Sequence, residues 1–261
     1  MPTHGGTAGV ALYSGRWQHS EEVQRLVEIH RTRLIDPYHL DVVSVGFAFN
    51  TPCMRAEQFI DSSARIWKLP IARLKVVQLD EPHLPALRPS IPLSPFKRSQ
   101  LSGWQVQFAH VFEALRVAME WKRHSYYVRA RIDLVLGEVP LIDAHLVNTE
   151  RVVLAYKKVG GWAVDRSVEF FHDWVFVSNR EGMQTIGYTN DSILNSTVRC
   201  FGACAEDQIA LQLGRQHFAL RALPPTNMSI QRLPRVTCTE NCAPLRTGCV
   251  LRTACVAQNT I

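Results

Sequence analysis

Two short apolar segments joined by an amphipathic stretch open this chain, and their order limits the folds it can adopt. Val10-Ala11-Leu12-Tyr13 is apolar without interruption, as a strand covered on both faces is. Glu21 to Arg33 follows, with Val23, Leu26, Val27 and Ile29-His30 at helical spacing and Ser20 ahead as an N-cap. Asp36-Pro37 stops that helix, and Leu40-Asp41-Val42-Val43-Ser44-Val45 reads as a second strand. Strand, helix and strand in this order form a β-α-β unit, which implies a parallel sheet. The expected fold class is α/β, a mostly parallel central sheet flanked by helices in a single domain over residues 1–222. Residues 223–261, rich in Pro, Thr and Cys, are expected to form an irregular, poorly structured tail.

Further along, Gln58 to Trp67 reads as a helix and Ala72 to Leu79 as a third strand running into Asp80-Glu81-Pro82. The proline-rich stretch from Pro82 to Pro95 has no periodicity and is expected to be a surface loop, one that can fold over a site. Gln105 to Trp121 carries the best helical pattern, with Phe108, Val111-Phe112, Leu115 and Ala118-Met119 on one face. Arg151 to Tyr156 and Phe170 to Val177 read as strands, Gly160-Gly161 as a flexible stretch, and Glu206 to Leu213 as a late helix.

The tract Tyr126 to Leu136 breaks the rule that a buried strand is apolar, because it holds Arg129, Arg131 and Asp133. On a continuous strand the period of two places all three on one face. Two guanidiniums beside a carboxylate suit a diphosphate, with the arginine forks on phosphate oxygens and the carboxylate on a divalent cation. The same three residues can equally form a structural ion cluster.

The formal net charge of +6 favours an anionic partner. Its basic residues are scattered, with only short groups such as Lys97-Arg98, Lys122-Arg123 and Lys157-Lys158, so a compact anion fits better than nucleic acid, and no nucleic-acid partner is expected. No P-loop, dinucleotide-binding glycine motif or nucleophile elbow is present. No apolar run is long enough for a transmembrane segment, and Met1 to Gly9 lacks the features of a signal peptide, so a soluble chain is expected. Cys238, Cys242, Cys249 and Cys255 match no standard zinc spacing; disulfides and free thiols both remain open. Sequons at Asn190, Asn195 and Asn227 lean toward a secretory route, and cytoplasm and secretory compartment both stay open.

The order of these parts resembles a GT-A-type glycosyltransferase-like group found in large viruses, algae and bacteria. The resemblance spans about residues 9 to 215. It comprises a first strand ending in Gly15-Arg16, the strand Asp41-Val42-Val43, the helix Gln105 to Trp121 directly before Arg129-Ala130-Arg131-Ile132-Asp133, the segment Asp173 to Val177 leading to Gly182-Met183, and the acidic pair Glu206-Asp207 opening an apolar helix. It implies a GT-A-like, Rossmann-like fold and transfer of a sugar from a nucleotide-sugar donor to a glycan or protein hydroxyl acceptor. Where such enzymes bear D-x-D, this chain has Arg131 in the first acidic position and Asp133 in the second, so use of a divalent cation, Mn or Mg, at Asp133 stays open.

Under that reading Gly15, Arg16, Arg129, Arg131 and Asp133 bind the donor. Asp207, Glu206 and Asp173 are the catalytic candidates: Asp207 is ionised near a helix N-terminus, and Asp173 is a carboxylate set among Phe170, Phe171, Trp174 and Phe176. His172 is a further metal candidate, and Trp104, Trp162 and Trp174 can stack on a sugar or base. In a parallel sheet the residues after each strand, including those after Val177, are expected at the carboxyl edge. Two other functions remain open: a metal-dependent phosphodiesterase or nuclease using Asp133, Asp173 and Glu206, and a catalytically silent GT-A-like binding domain.

Overall fold

Val10, Ala11, Leu12 and Tyr13 are all fully buried, and two different layers of helix bury them. The computed structural model describes residues 9–14, 21–47, 56–79, 110–158, 170–187, 204–224, 227–231, 236–237 and 256–257. Strand β1 (Gly9–Ser14) lies between β2 (Asp41–Phe47) and the strand Tyr126–Ala130, parallel to both, and β3 (Leu74–Leu79) lies parallel to β2 on its far side. Tyr126–Ala130 is β4 in chain order. Beyond it the direction reverses: β7 (Phe170–Ser178) is antiparallel to β4 and to β6 (Val152–Lys158). β8 (Ala219–Ala222) closes the sheet parallel to β6, giving the order β3-β2-β1-β4-β7-β6-β8. The mostly parallel sheet flanked by helices agrees with the fold class read from the sequence.

Alternation along β1 assigns each residue to a layer. Ala11 and Tyr13 pack with Val42, Val128 and Val175 beneath α1 (Glu21–His30) and α2 (Ala56–Trp67), which contribute Val23, Val27, Phe59 and Trp67. Val10 and Leu12 pack with Val43, Tyr127 and Phe176 beneath α3 (residues 110–121), which contributes Val111, Leu115 and Ala118. Further helices extend the two layers. α4 (Ala144–Thr149), capped by Asp143 accepting from the Leu146 amide, joins the first; α5 (Arg180–Gly187) and α6 (Cys204–Arg215) join the second through Met183, Ile209 and Leu213.

Several local expectations shift. The first helix does not end at Arg33 but widens into a π turn over Arg31–Ile35, which brings both Leu34 and Ile35 into the core. Ile71–Arg73 is a 3₁₀ turn, so the third strand starts at Leu74. The tract 126–136 is not one strand. β4 ends at Ala130, and Leu134–Leu136 forms β5, which pairs antiparallel with β9 (Met228–Ile230) outside the main sheet. Leu223 and Met228 are buried in the first core, so the chain contributes to packing past residue 222. A two-residue ladder joins β10 (Val236–Thr237) to β11 (Val256–Ala257). The loop from Pro82 to Pro95 and all cysteine side chains lie outside the described residues.

Gly46 in β2 faces the ring of Phe59, where a Cβ would come within 2.3 Å of the ring. Gly46→Ala is expected to destabilise the fold by about 1–3 kcal/mol through overpacking, read from urea unfolding, with Phe59→Leu added to Gly46→Ala recovering part of the loss.

Candidate functional site

In an open α/β sheet a ligand sits outside the carboxyl ends of the strands, where the winding changes direction. Here that point lies between β1 and β4, since β2 and β3 extend the sheet to one side of β1 and β4 begins the other. Gly15 and Arg16 follow β1 in the sequence but lie outside the described residues. Arg131 is the first residue after β4.

The chain turns sharply there because its backbone groups find partners that end the strand. The Arg131 amide donates to the Trp174 carbonyl of β7 at 3.1 Å, and the Arg131 carbonyl accepts from the Leu134 amide at 3.2 Å. The Asp133 carbonyl accepts from the Gln231 amide at 2.8 Å, just past β9. This corrects the expectation that Arg129, Arg131 and Asp133 share one face of a strand. Arg129 is buried within β4, Arg131 stands at its edge, and Asp133 is in the turn.

What joins these residues is a chain of ion pairs. Arg131 grips Asp133 with both arms of its fork, Nε to Oδ1 at 2.9 Å and Nη2 to Oδ2 at 2.8 Å. Its Nη1 lies 3.5 Å from Oδ2 of Asp173, and Arg129 Nη2 lies 3.9 Å from the same oxygen. Asp173 thus has its reason for sitting among aromatic residues: it lies between two guanidiniums. A register shift between β6 and β7 brings Tyr156 opposite His172, and Trp174 packs with the first core beside Val175. Burial lowers the Arg131 pKa, but hydrogen bonds and charge from Asp133 and Asp173 outweigh it, and the net shift is upward.

The turn is held from behind by His30. Its Nε2 lies 2.7 Å from the Leu134 carbonyl, which can only accept, so Nε2 carries the proton. Nδ1 then accepts from the Tyr13 hydroxyl at 2.9 Å. Burial pushes the His30 pKa down to about 4 and the Tyr13 pKa well up, so both stay neutral. Arg33 adds hydrogen bonds to the carbonyls of Leu136 and Gly137. On the opposite layer His110, at the start of α3, is lowered to about 4 by burial and by the charge of Arg129.

The sequence placed His30 in the core and Tyr13 and Tyr156 in strands without their roles, and did not single out His110. Each acquires its partner only through packing of distant segments. Trp174 and His172 were singled out separately; with Tyr156 they form one aromatic stack, centroids 4.7 Å apart for His172–Trp174 and 5.0 Å for Tyr156–Trp174.

The residues that follow Val177 are not at the carboxyl edge. Because β7 runs antiparallel, its first half, which carries Asp173, reaches that edge, while Ser178 pairs with Tyr127 near the start of β4. α6 is followed closely by β8, whose first residue lies at the amino edge beside Val152. The helix therefore runs back from the carboxyl side, with the backbone of Glu206 and Asp207 in its first turn; their side chains lie outside the described residues. Trp104, Gly160, Gly161 and Trp162 also lie outside them.

A divalent cation does not fit the described residues as they stand. Both oxygens of Asp133 are engaged by Arg131, and no group of three His, Cys, Asp or Glu side chains that could hold a metal occurs among the described residues. No helix among the described residues is long and apolar enough to cross a membrane.

No family model matches the sequence, and no curated protein matches it. Among solved structures, the chain is similar to the glycosyltransferase GlyE of Streptococcus pneumoniae TIGR4, with a TM-score of 0.45 and 10% identity, covering 84% of this chain and 46% of that one. It is also similar to the galactosyltransferase LgtC in complex with donor and acceptor sugar analogues, with a TM-score of 0.45 and 9% identity over 82% of this chain and 72% of that one. An active-site mutant of LgtC gives a TM-score of 0.47 at 9% identity. The chain thus spans less than half the length of GlyE, and no residue role is carried over from either protein.

His30 takes up a proton more readily in the unfolded chain, at 6.5, than in the fold, at about 4. The stability this provides is present above pH 6.5 and is lost as the pH falls toward 4. Between pH 7 and pH 5 His30 alone is expected to cost about 2 kcal/mol, and urea unfolding of His30→Gln is expected to show a shallower acid slope than the parent.

Proposed function

We propose that this protein is a glycosyltransferase that moves a sugar from a nucleotide-diphosphate donor to a hydroxyl of a glycan or protein. The observation that carries the reading is the guanidinium of Arg131 just past the carboxyl end of β4, with Arg129 behind it, beside the point where the sheet changes winding direction. A diphosphate placed there meets an arginine fork suited to phosphate oxygens. The resemblance of the sequence to GT-A-type enzymes supplies the reaction class.

In the transfer, the bond from the anomeric carbon to the diphosphate oxygen breaks, and that carbon forms a bond to the acceptor oxygen. Negative charge grows on the departing diphosphate, where Arg131 and Arg129 offset it. The acceptor proton goes to a carboxylate. Asp173 already engages both arginines, so the base is assigned to Asp207, on the helix that runs back from the carboxyl side, with Glu206 beside it. Gly15 and Arg16, which follow β1 in the sequence, are assigned to the donor as well. No step here depends on a divalent cation.

A panel of UDP- and GDP-sugars, with and without manganese, is expected to give a thermal shift or saturation-transfer signal for at least one donor; silence across the panel would sink the reading. Arg131→Ala is expected to weaken donor binding about 10- to 150-fold while circular dichroism stays unchanged. Asp207→Asn is expected to keep donor binding and lose about 10²- to 10⁴-fold in transfer rate. Donor binding without any transfer in the parent protein would favour the catalytically silent binding domain, which the loss of the first D-x-D aspartate to Arg131 also suits.

A further inference from the structure

We infer that Asp133 is a built-in competitor for the Arg131 fork and so sets the affinity threshold an anion must pass to enter this site; the inference rests on the donor-binding reading above. The carboxylate of Asp133 occupies the guanidinium by the same two-point geometry a phosphate uses, at 2.9 and 2.8 Å. Two arginines face two aspartates, so the resting cluster carries no net charge to attract an anion. One carboxylate has to leave before a phosphate can take the fork.

Asp133 is the one built to leave. Asp173 lies within β7, its side chain 13% exposed, and also serves Arg129. The Asp133 side chain is 21% exposed in a turn. Its backbone is tied by the bond from the Gln231 amide, and its neighbour Leu134 by His30, so opening needs only a side-chain rotation. A closed resting state multiplies the dissociation constant of every anion by the same factor. Small anions such as inorganic phosphate then fall below useful occupancy. A donor with further contacts through its base and sugar still binds.

Isothermal titration in EDTA with inorganic phosphate, pyrophosphate and UDP tests this. Asp133→Asn is expected to bind each at least tenfold more tightly than the parent. Glu138→Gln removes one negative charge from an exposed position five residues along the chain and is expected to bind as the parent does. Adding Arg131→Ala to Asp133→Asn is expected to abolish the gain. Asp133→Ala, checked for an unchanged unfolding midpoint, is expected to show the same gain. Equal or weaker binding in a folded Asp133 variant overturns the inference, as does an equal gain in Glu138→Gln. If the parent binds UDP and the Asp133 variants show no gain, only this inference falls. If neither parent nor variants bind any of the three, the donor-binding reading falls with it.

Discussion

Arg131 does two jobs at the point where β4 stops. Its amide and carbonyl close the strand, one against β7 and the other against Leu134, and its side chain ties Asp133 and Asp173 together. The short turn makes a bidentate contact between Arg131 and Asp133 geometrically available. It also releases the apolar run Leu134–Leu136 from the main sheet to pair with β9.

The buried polar groups behind the turn keep it in place. His30 bridges α1, β1 and the turn, and because it donates through Nε2 to a carbonyl, its other nitrogen must accept from Tyr13. A neutral imidazole meets both demands, and burial holds it neutral. The site therefore rests on the core rather than on its own loops. A charged edge is anchored by an uncharged hydrogen-bond relay running through the layer beneath it.

Along the ion-pair chain Arg129–Asp173–Arg131–Asp133 the side chains are 6%, 13%, 31% and 21% accessible, so the inner pair is the more buried. The inner pair is fixed by β4 and β7, where removing either partner would strand a charge away from water. The outer pair is more accessible and so more screened. One cluster thus combines a buried end, which sets the position of the guanidiniums, with a more accessible end at the turn.

Much of this was legible in the residues themselves. The unbroken apolar run at Val10 to Tyr13 and the helical spacing from Val23 to His30 were enough for a parallel α/β sheet, because each reports burial through a local period. The two arginines and the aspartate stood out as a candidate site because charge is costly in a buried tract. Other features had no local signal. Val177 and Val10 are equally apolar whichever way their strands run, so only pairing showed that β7 is reversed and that Asp173, not the residues after Val177, reaches the carboxyl edge. Asp173 and Arg129 stand far apart in the chain, as do His30 and Leu134, and such contacts exist only once the layers have packed. Composition and periodicity decided which residues must be covered; the closing of the sheet decided which polar groups were left to satisfy one another.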